Sequence, residues 1–410
     1  MAARMNDHPS SPPIKANNRE QTTTKNLGDE DINPMKILIT GGAGFIGSRL
    51  ARRLCEQGQE VRILDNLLPQ VHAAGATPSG WMTRHCDMRV ADISDREAVR
   101  SALEGVQSVV HLAAETGPAQ SMYEIERYAQ ANTQGTAILL QEMLARRDQI
   151  GRLVVASSRA VYGEGKYHCA AHGVVYPDPR PDERLRVGRW EPSCPVCGED
   201  VEAAPTDEAS LPKPTSIYAV TKLAQEQMCL VWGRAYDIPT RALRYQNVYG
   251  PGQSLTNPYI GVLAIFAARI KSGSPLQIYE DGRESRDFVH VDDVVRATAL
   301  ALSDEGAGAA VYNVGSGRPA SLQEVAVTLA EEMGRQIPIE VTGRYRVGDI
   351  RHCYADLRRA DAGLGYAPQV SLRSGLRELA EWTWAEESFS DELDQATREL
   401  TKAGLYRESR

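Results

Sequence analysis

The feature that most constrains the fold is a glycine-rich turn between two apolar segments, MKILITGGAGFIGSRL, at residues 35–50. Gly41, Gly44 and Gly47 follow a predicted buried strand and open a predicted helix. Glycine lets the backbone turn tightly and approach a phosphate closely, and a helix N-terminus offers free N–H groups and partial positive charge to an anion. This context predicts a dinucleotide-binding βαβ unit.

The second predicted strand, EVRILD, ends in an acidic residue where a ribose-binding carboxylate is expected. Asp65 lies 24 residues after Gly41. A carboxylate here would accept hydrogen bonds from both adenosine ribose hydroxyls and would repel a 2′-phosphate. The sequence therefore predicts NAD, rather than NADP, as a tightly bound cofactor.

Strands and helices alternate along most of the chain. KILIT, EVRILD, SVVHLAA and RLVVASS are typical buried strands with helical segments between them. YAQANTQGTAILLQEMLARR is predicted to be one long helix, and TRALRYQNVYG one strand. This order predicts an α/β fold class, with a Rossmann-type doubly wound parallel sheet and a smaller C-terminal α/β substrate-binding domain.

Composition shifts divide the chain into predicted regions. In order they are a disordered tail (1–34), an NAD-binding domain (35–250) interrupted by a segment rich in Cys, His and Pro (164–203), a mainly substrate-binding domain (251–395) with a return to the NAD-binding domain (287–316), and a C-terminal tail (396–410).

The charge and the apolar stretches of the sequence exclude some classes of partner. The net charge is −8, there is no long Lys/Arg block, and no apolar stretch approaches the roughly 20 residues that span a bilayer. We therefore expect no nucleic-acid partner, no membrane partner and a cytoplasmic location. Arg180, Arg184, Arg186 and Arg189 are offset by neighbouring acids and are interpreted as a solvated surface.

Three residues are candidates for catalysis. In SIYAVTK, Tyr218 and Lys222 are four residues apart and would share one face of a helix. A lysine beside a tyrosine stabilises the phenolate and lowers its pKa, so that Tyr218 could accept a proton from a sugar hydroxyl. Ser158 ends a predicted parallel strand, where such sheets place their ligands.

Seven motifs occur in an order that resembles one known family. GGAGFIG, HLAA, NTQGT, SSRAVYG, YAVTK, RYQNVYGPG and SRDFVHVDDV resemble the extended short-chain dehydrogenases/reductases, and more narrowly the nucleotide-diphosphate-sugar (NDP-sugar) 4-epimerases. The resemblance extends from about Met35 to about Trp384. It implies a nucleotide-sugar substrate and a homodimer built on a four-helix bundle.

The resemblance also implies roles for individual residues. The catalytic residues would be Ser158, Tyr218 and Lys222. The NAD-binding residues would be Gly41, Gly44, Phe45, Ile46, Gly47, Asp65, Asn66, Asp92, Ile93, Leu112, Ala113, Ala114, Thr116, Asn132, Ser157, Tyr218, Lys222, Tyr245 and Val248. The substrate-binding residues would be Ser158, Asn247, Val262, Tyr279, Arg286, Arg346 and Asp349.

The implied reaction is 4-epimerisation, in which C4 loses a hydride to NAD, the 4-keto sugar rotates, and the hydride returns to the other face. The 4,6-dehydratases of the superfamily carry an acidic pair after the catalytic hydroxyl residue, where this chain has Arg159 and Ala160. Dehydration is therefore disfavoured. An NDP-4-keto-sugar reductase remains an alternative, whereas a non-catalytic nucleotide sensor would be expected to lack Tyr218 or Lys222.

The inserted segment contains two possible pairs of metal ligands. Cys169 and His172 are followed after 21 residues by Cys194 and Cys197, a spacing typical of a tetrahedral structural zinc site. The alternatives are an unmetallated loop with buried thiols or a Cys194–Cys197 disulfide. WEPSCPVCG also resembles the insertion of the dTDP-L-rhamnose 4-epimerases, which form dTDP-6-deoxy-L-talose; UDP-glucose and UDP-N-acetylglucosamine 4-epimerases are the alternative subgroups.

Overall fold

The apolar segments predicted as strands line up side by side in one parallel sheet. The computed structural model describes residues 34–72, 75–257, 259, 261–387, 389–391 and 393–409. The predicted disordered tail, residues 1–34, therefore lies outside the described residues except for its last position. None of the described helices is both long enough and apolar enough to cross a membrane.

The strands and helices alternate along the chain. The strands are β1 (Lys36–Thr40), β2 (Glu60–Asp65), β3 (Asp87–Val90), β4 (Ser108–His111), β5 (Arg152–Ser158), β6 (Tyr167–Cys169), β7 (Gly173–Val175), β8 (Glu202–Ala203), β9 (Thr240–Tyr245), β10 (Asn247–Tyr249), β11 (Leu276–Ile278), β12 (Ser285–His290), β13 (Ala309–Val314), β14 (Pro319–Ser321), β15 (Ile339–Val341), β16 (Arg344–Arg346), β17 (His352–Cys353) and β18 (Tyr406–Glu408). The helices are α1 (Phe45–Glu56), α2 (Pro69–His72), α3 (Gly80–His85), α4 (Arg96–Ala102), α5 (Ile125–Tyr128), α6 (Gly135–Leu144), α7 (Asp182–Arg186), α8 (Ile217–Ala235), α9 (Val262–Ser272), α10 (Val291–Ser303), α11 (Leu322–Glu332), α12 (Arg358–Leu364), α13 (Leu372–Ala385) and α14 (Leu393–Lys402).

Seven strands form the central sheet, in the order β3–β2–β1–β4–β5–β9–β13. Every neighbouring pair is parallel. The chain runs outward from β1 to β3 and then crosses back to β4 on the other side of β1. Such a reversal leaves a crevice at the carboxyl ends of β1 and β4, where ligands bind in sheets of this kind. The predicted Rossmann-type fold is confirmed.

Both faces of the central sheet are covered, as the unbroken apolar strands require. Successive residues point to opposite faces, so Leu38 and Ile39 belong to different buried clusters. Helices α1 and α10 pack together on one side. Helices α4, α6 and α8 cover the other side. This packing fixes the strand ends that carry the candidate site.

A second apolar core lies in the C-terminal part of the chain. It is formed mainly by α9, α11 and α13, which pack beside a sheet of β10, β12, β14 and β17. Strand β12 is the centre of this sheet, parallel to β10 and β17 and antiparallel to β14. Strand β13, by contrast, pairs with β9 in the central sheet. The division into an NAD-binding and a substrate-binding domain stays a prediction.

Three local predictions differ from the structure. TRALRYQNVYG forms two strands rather than one, because the chain leaves the central sheet after β9 and enters the second sheet as β10. The predicted long helix contains a π-helical stretch, Ala129–Gln134, between α5 and α6. Residues 396–410 are not a simple tail, since they include most of α14 and strand β18, which pairs antiparallel with β16.

Candidate active site

The glycine turn joins β1 to α1 in a space that admits no side chain. A Cβ atom on Gly47 would lie 2.4 Å from the carbonyl oxygen of Gly41, and one on Gly41 would lie 2.7 Å from the nitrogen of Ala113. Gly44 precedes α1 as a cap residue without a side-chain hydrogen bond. The first N–H groups of α1 therefore have no side-chain cap, and the turn fits a pyrophosphate.

Asp65, the last residue of β2, faces the glycine turn. Its Oδ2 accepts a hydrogen bond from Ala43 N at 2.9 Å, and its Oδ1 accepts one from Leu67 N at 2.9 Å. The side chain is largely buried but still lines the cavity described below. Its position beside the turn is the one that a ribose-binding carboxylate needs.

A cavity of about 500 Å³ opens at the carboxyl ends of the central strands. This volume is within the usual range for small-molecule sites. Most of the predicted cofactor-binding positions line it: Gly41, Gly44, Phe45, Ile46, Gly47, Asp65, Asn66, Asp92, Ile93, Leu112, Ala113, Ala114, Thr116, Ser157, Tyr218, Lys222, Tyr245 and Val248. The predicted substrate-binding residues Ser158, Asn247 and Val262 line it as well.

Asn132 is the predicted cofactor-binding residue that does not line this cavity. Its side chain is fully buried, accepts a hydrogen bond from Glu115 N at 2.7 Å and donates to Thr221 Oγ1 at 2.9 Å. Both hydrogen-bonding groups of the amide are thus engaged by protein. Asn132 therefore ties the segment after β4 to α8, and its contact with a cofactor stays a prediction.

A second carboxylate in the cavity is held ionised. Asp92 Oδ1 accepts hydrogen bonds from Ser94 N at 2.8 Å and Ser94 Oγ at 2.6 Å, while Asn66 Nδ2 donates to Oδ2 at 2.8 Å. Burial opposes ionisation, but these hydrogen bonds stabilise the anion and lower the pKa of Asp92. The cavity therefore presents hydrogen-bond acceptors at the end of β3 as well as at the end of β2.

The three candidate catalytic residues meet on the cavity wall. Ser158 is the last residue of β5, and Tyr218 and Lys222 lie one turn apart at the start of α8, which packs against β5. Ser216 caps α8, since its side chain accepts a hydrogen bond from Ala219 N. The α8 N-terminus is therefore fixed, and Tyr218 is fixed with it.

The predicted lowering of the pKa of Tyr218 is wrong. Burial raises the pKa of this phenol, and the Ser158 hydroxyl and the Arg159 guanidinium lower it only in part. Lys222 is engaged elsewhere, because its Nζ donates to Ala156 O at 2.5 Å and also to Gln225 Oε1. Burial of a phenolate outweighs the charges that favour it.

Lys222 belongs to a buried polar network that extends under the sheet. Gln225 Nε2 lies 2.9 Å from His111 Nε2, and His111 Nδ1 lies 2.7 Å from Thr40 Oγ1. Burial lowers the pKa of Lys222 to about 8. Burial, together with the charge of Lys222, lowers the pKa of His111 to about 3, which leaves the imidazole neutral at physiological pH. The network fixes the Lys222 ammonium within the protein, one helical turn from Tyr218.

Four predicted substrate-binding residues do not line the cavity but form their own cluster. Arg286 Nη2 lies 3.2 Å from Asp349 Oδ1, and Arg346 Nη2 lies 3.3 Å from Asp349 Oδ2. The Arg346 guanidinium also covers the ring of Tyr279 at 5.1 Å. Both arginines thus pair with the same carboxylate, and direct contact of these four residues with a substrate stays a prediction.

Arg159 also lines the cavity, although the sequence interpretation assigns it no binding role. Its position directly after Ser158 is a signal for this placement. Arg159 also acts on the charge of Asp349. Burial opposes the ionisation of Asp349, but Arg346, Arg286, Arg159 and Arg180 together lower its pKa to about 2. A cluster of positive charge therefore adjoins the part of the cavity that contains Ser158.

The Cys and His residues of the inserted segment also come together, away from this cavity. One ligand atom from each of Cys169, His172, Cys194 and Cys197 lies within 4.8 Å of every other.

The interpretation of Arg180 as a solvated surface charge is wrong, since its side chain is only 2% exposed.

Comparison with known proteins adds independent information. The family model described as the NAD dependent epimerase/dehydratase family matches residues 37–178 and 192–315. The dTDP-L-rhamnose 4-epimerase of Burkholderia thailandensis is 38% identical over 353 residues, which cover 86% of this chain and 95% of that protein.

Two solved structures with the same fold are 4-epimerases as well. UDP-glucose 4-epimerase of Thermotoga maritima, determined with UDP-glucose, has a TM-score of 0.69 and 30% identity, over 86% of this chain and 99% of the other. UDP-glucuronic acid 4-epimerase of Bacillus cereus, determined with UDP-glucuronic acid and NAD, has a TM-score of 0.70 and 26% identity over the same shares.

Proposed function

This chain belongs to the NAD dependent epimerase/dehydratase family, and we propose that it is an NAD-dependent NDP-sugar 4-epimerase that interconverts dTDP-L-rhamnose and dTDP-6-deoxy-L-talose. The reaction class is supported by one cavity that contains both the glycine turn and the Ser158, Tyr218 and Lys222 side chains. Arg159 and Ala160, which follow Ser158, offer no acid–base pair for dehydration.

The observation that carries the substrate is the 38% identity to the Burkholderia dTDP-L-rhamnose 4-epimerase along almost its whole length. A UDP-glucose 4-epimerase is the second candidate, supported by the likeness to the Thermotoga structure that holds UDP-glucose. The two candidates differ in the nucleoside and in the sugar but require the same catalytic residues.

Tyr218 is the proton acceptor in this proposal. NAD⁺, when bound, would supply the hydride acceptor and donor for C4 of the sugar. Tyr218 takes the proton of the C4 hydroxyl and returns it after inversion. Ser158 would share a hydrogen bond with the same oxygen, and Lys222, held one helical turn from Tyr218 by its buried contacts, would add positive charge to this part of the site. The positive charge of Arg159 further favours the phenolate.

We propose NAD rather than NADP as the cofactor. Asp65 would bind the adenosine ribose of NAD, because a carboxylate held beside the glycine turn repels the extra phosphate of NADP. We propose a structural, not a catalytic, role for zinc at Cys169, His172, Cys194 and Cys197, since transfer of a hydride to NAD requires no metal.

We also propose a homodimer formed by α8 and the helical segment 125–144. Val220, Gln227 and Val231 are exposed along one face of α8, and Ile125 is exposed on the other segment. These positions recur at helical spacing and would pair with a second copy. The mass of the protein in solution, measured by light scattering, tests for the dimer.

A cytoplasmic location is proposed because all seven cysteines are unpaired.

The function is tested by incubating purified protein with dTDP-L-rhamnose, UDP-glucose or UDP-N-acetylglucosamine, each without added cofactor, and following the C4 proton by NMR. The proposal predicts conversion of dTDP-L-rhamnose to its C4 epimer. Inversion of UDP-glucose alone would replace the substrate but keep the reaction class. If no sugar inverts, and instead NADH addition is needed to consume a 4-keto sugar, the protein is a reductase.

A further inference from the structure

The inserted segment forms a small module whose apolar core is too small to fold unaided. Strands β6, β7 and β8 make a three-stranded antiparallel sheet, with the hairpin turn between β6 and β7 at residues 170–172. Its buried cluster consists of only Tyr167, Cys169, Val175, Cys194 and Val201. Modules of this size are usually stabilised by disulfides or by a metal ion.

The distances among four side chains match the edges of a tetrahedral zinc site. Cys169 Sγ lies 3.5 Å from His172 Nδ1 and 3.8 Å from Cys197 Sγ, and Cys194 Sγ lies 3.6 Å from His172 Nδ1. With Zn–S bonds of about 2.3 Å and a Zn–N bond of about 2.05 Å, tetrahedral geometry requires S···S and S···N edges of about 3.8 and 3.6 Å. A disulfide needs about 2.05 Å, so the sulfurs are spaced for an ion and not for a bond.

The backbone around the second pair is also arranged for thiolates. Cys194 N donates to Glu199 O at 2.7 Å, and Gly198 N donates to Cys194 O at 2.9 Å, which closes a tight turn over Cys194–Gly198. Inside this turn, Val196 N points to Cys194 Sγ at 3.5 Å. Donation of a backbone N–H to sulfur stabilises the thiolate that a metal requires.

The module is joined to the chain around Asp349 through hydrogen bonds and ion pairs of Arg180 and Glu191. Arg180, between β7 and α7, donates to Glu280 Oε1 at 2.8 Å and to the carbonyl oxygen of Asp349 at 2.9 Å. Glu191, three residues before Cys194, pairs with Arg351 at 2.8 Å and with His352 at 3.1 Å. The inserted module therefore contacts the chain at Asp349 through Arg180 and at Arg351 through Glu191.

We propose that Cys169, His172, Cys194 and Cys197 bind one structural Zn²⁺ ion, and that this ion fixes the inserted module as a support for Asp349. Loss of the ion would free the loops that carry Arg180 and Glu191. Asp349, which pairs with Arg286 and Arg346, would then lose its position. The effect on substrate binding rests on the proposed 4-epimerase activity, whereas metal binding does not.

The experiment measures metal content first. Full-length protein from zinc-supplemented cells is analysed by mass spectrometry for metals, beside the variants Cys197→Ser and Cys55→Ser. Cys197 is the exposed cysteine of the cluster, so its replacement disturbs packing less than that of Cys169 or Cys194, and Cys55 is a partly exposed cysteine outside the cluster. We expect one zinc per chain in the wild type and in Cys55→Ser, and loss of zinc in Cys197→Ser. Cobalt substituted for zinc should give the visible absorption of a tetrahedral thiolate site.

Kinetics then test the supporting role. In Cys197→Ser we expect the KM for dTDP-L-rhamnose to rise roughly tenfold with kcat little changed, because ground-state binding is what weakens. Wild-type protein without stoichiometric zinc or cobalt binding overturns the metal site. Zinc lost with KM unchanged overturns the supporting role. Stoichiometric zinc in a protein that inverts no sugar rejects the proposed function but keeps the metal site.

Discussion

At the scale of single residues, the proposed chemistry depends on a phenol that the fold makes harder to ionise. Burial raises the pKa of Tyr218, and the groups that oppose this rise are Ser158 and Arg159. Lys222 is only one helical turn away, yet its hydrogen bonds go to Ala156 and Gln225. The Y-x-x-x-K spacing could be read from the sequence, but the direction of the shift could not, because burial is a tertiary property.

Replacement of Tyr218 by phenylalanine should remove the proton acceptor and little else. We expect epimerisation to fall by about 10²- to 10⁴-fold, the usual contribution of a general acid–base group. The matched control is Tyr236→Phe, at the exposed C-terminal end of α8, which should epimerise like the wild type. Conversion is followed by NMR, and thermal unfolding confirms that both variants fold. A Tyr218→Phe variant that epimerises at a rate within a few-fold of the wild type would show that Tyr218 is not the proton acceptor.

The lowered pKa of Lys222 predicts that the stability of the protein depends on pH. Its pKa is about 8 in the folded protein and about 10.4 in the unfolded chain, so the unfolded chain binds more protons between these values. The free energy of unfolding of the wild type should therefore rise relative to Lys222→Met as the pH increases from about 8 to about 10, by up to about 1.4 kcal/mol per pH unit.

Urea unfolding of both proteins across this pH range measures the difference. Lys402→Met, at an exposed position of α14, serves as the matched control and should follow the wild type at every pH. A constant difference between wild type and Lys222→Met would mean that the folded protein does not depress this ammonium.

At the scale of elements, the strand–turn–helix units were predictable and the departures from regular structure were not. The apolar strands and the glycine spacing identified β1, α1 and β2 correctly. TRALRYQNVYG reads as one continuous strand, but the chain changes sheets at Gln246, and this depends on partners far along the sequence. The same holds for β18, whose pairing with β16 cannot be read from a polar C-terminal segment.

The glycine turn gives a prediction for one element. Gly47→Ala should displace the turn, because its Cβ would lie 2.4 Å from a backbone oxygen that cannot move independently. We expect the purified variant to carry less than about a tenth of the NAD found in the wild type, measured on acid-released nucleotide. Gly151→Ala, whose Cβ would meet nothing closer than 3.8 Å, should retain it. Full NAD content in Gly47→Ala would show that the turn does not hold the pyrophosphate.

At the scale of the whole molecule, the candidate site draws on two parts of the chain. The central sheet supplies the glycine turn, Asp65 and Ser158. The C-terminal part supplies Arg286 and Asp349 on and beside β12. The sequence predicted both sets, but the arginines are paired internally instead of lining the cavity, which only the three-dimensional arrangement reveals. A firmly held nucleotide and a loosely held sugar suit a 4-epimerase, whose sugar must present both faces.

The most direct measurement follows the hydrogen at C4. dTDP-L-rhamnose labelled with deuterium at C4 is incubated with purified protein in ordinary water without added cofactor, and the product is analysed by NMR. The proposed mechanism predicts dTDP-6-deoxy-L-talose that retains deuterium at C4, because the hydrogen removed from that carbon returns to it. Epimer that has exchanged its label for solvent hydrogen, or complete absence of the C4 epimer, would contradict the account.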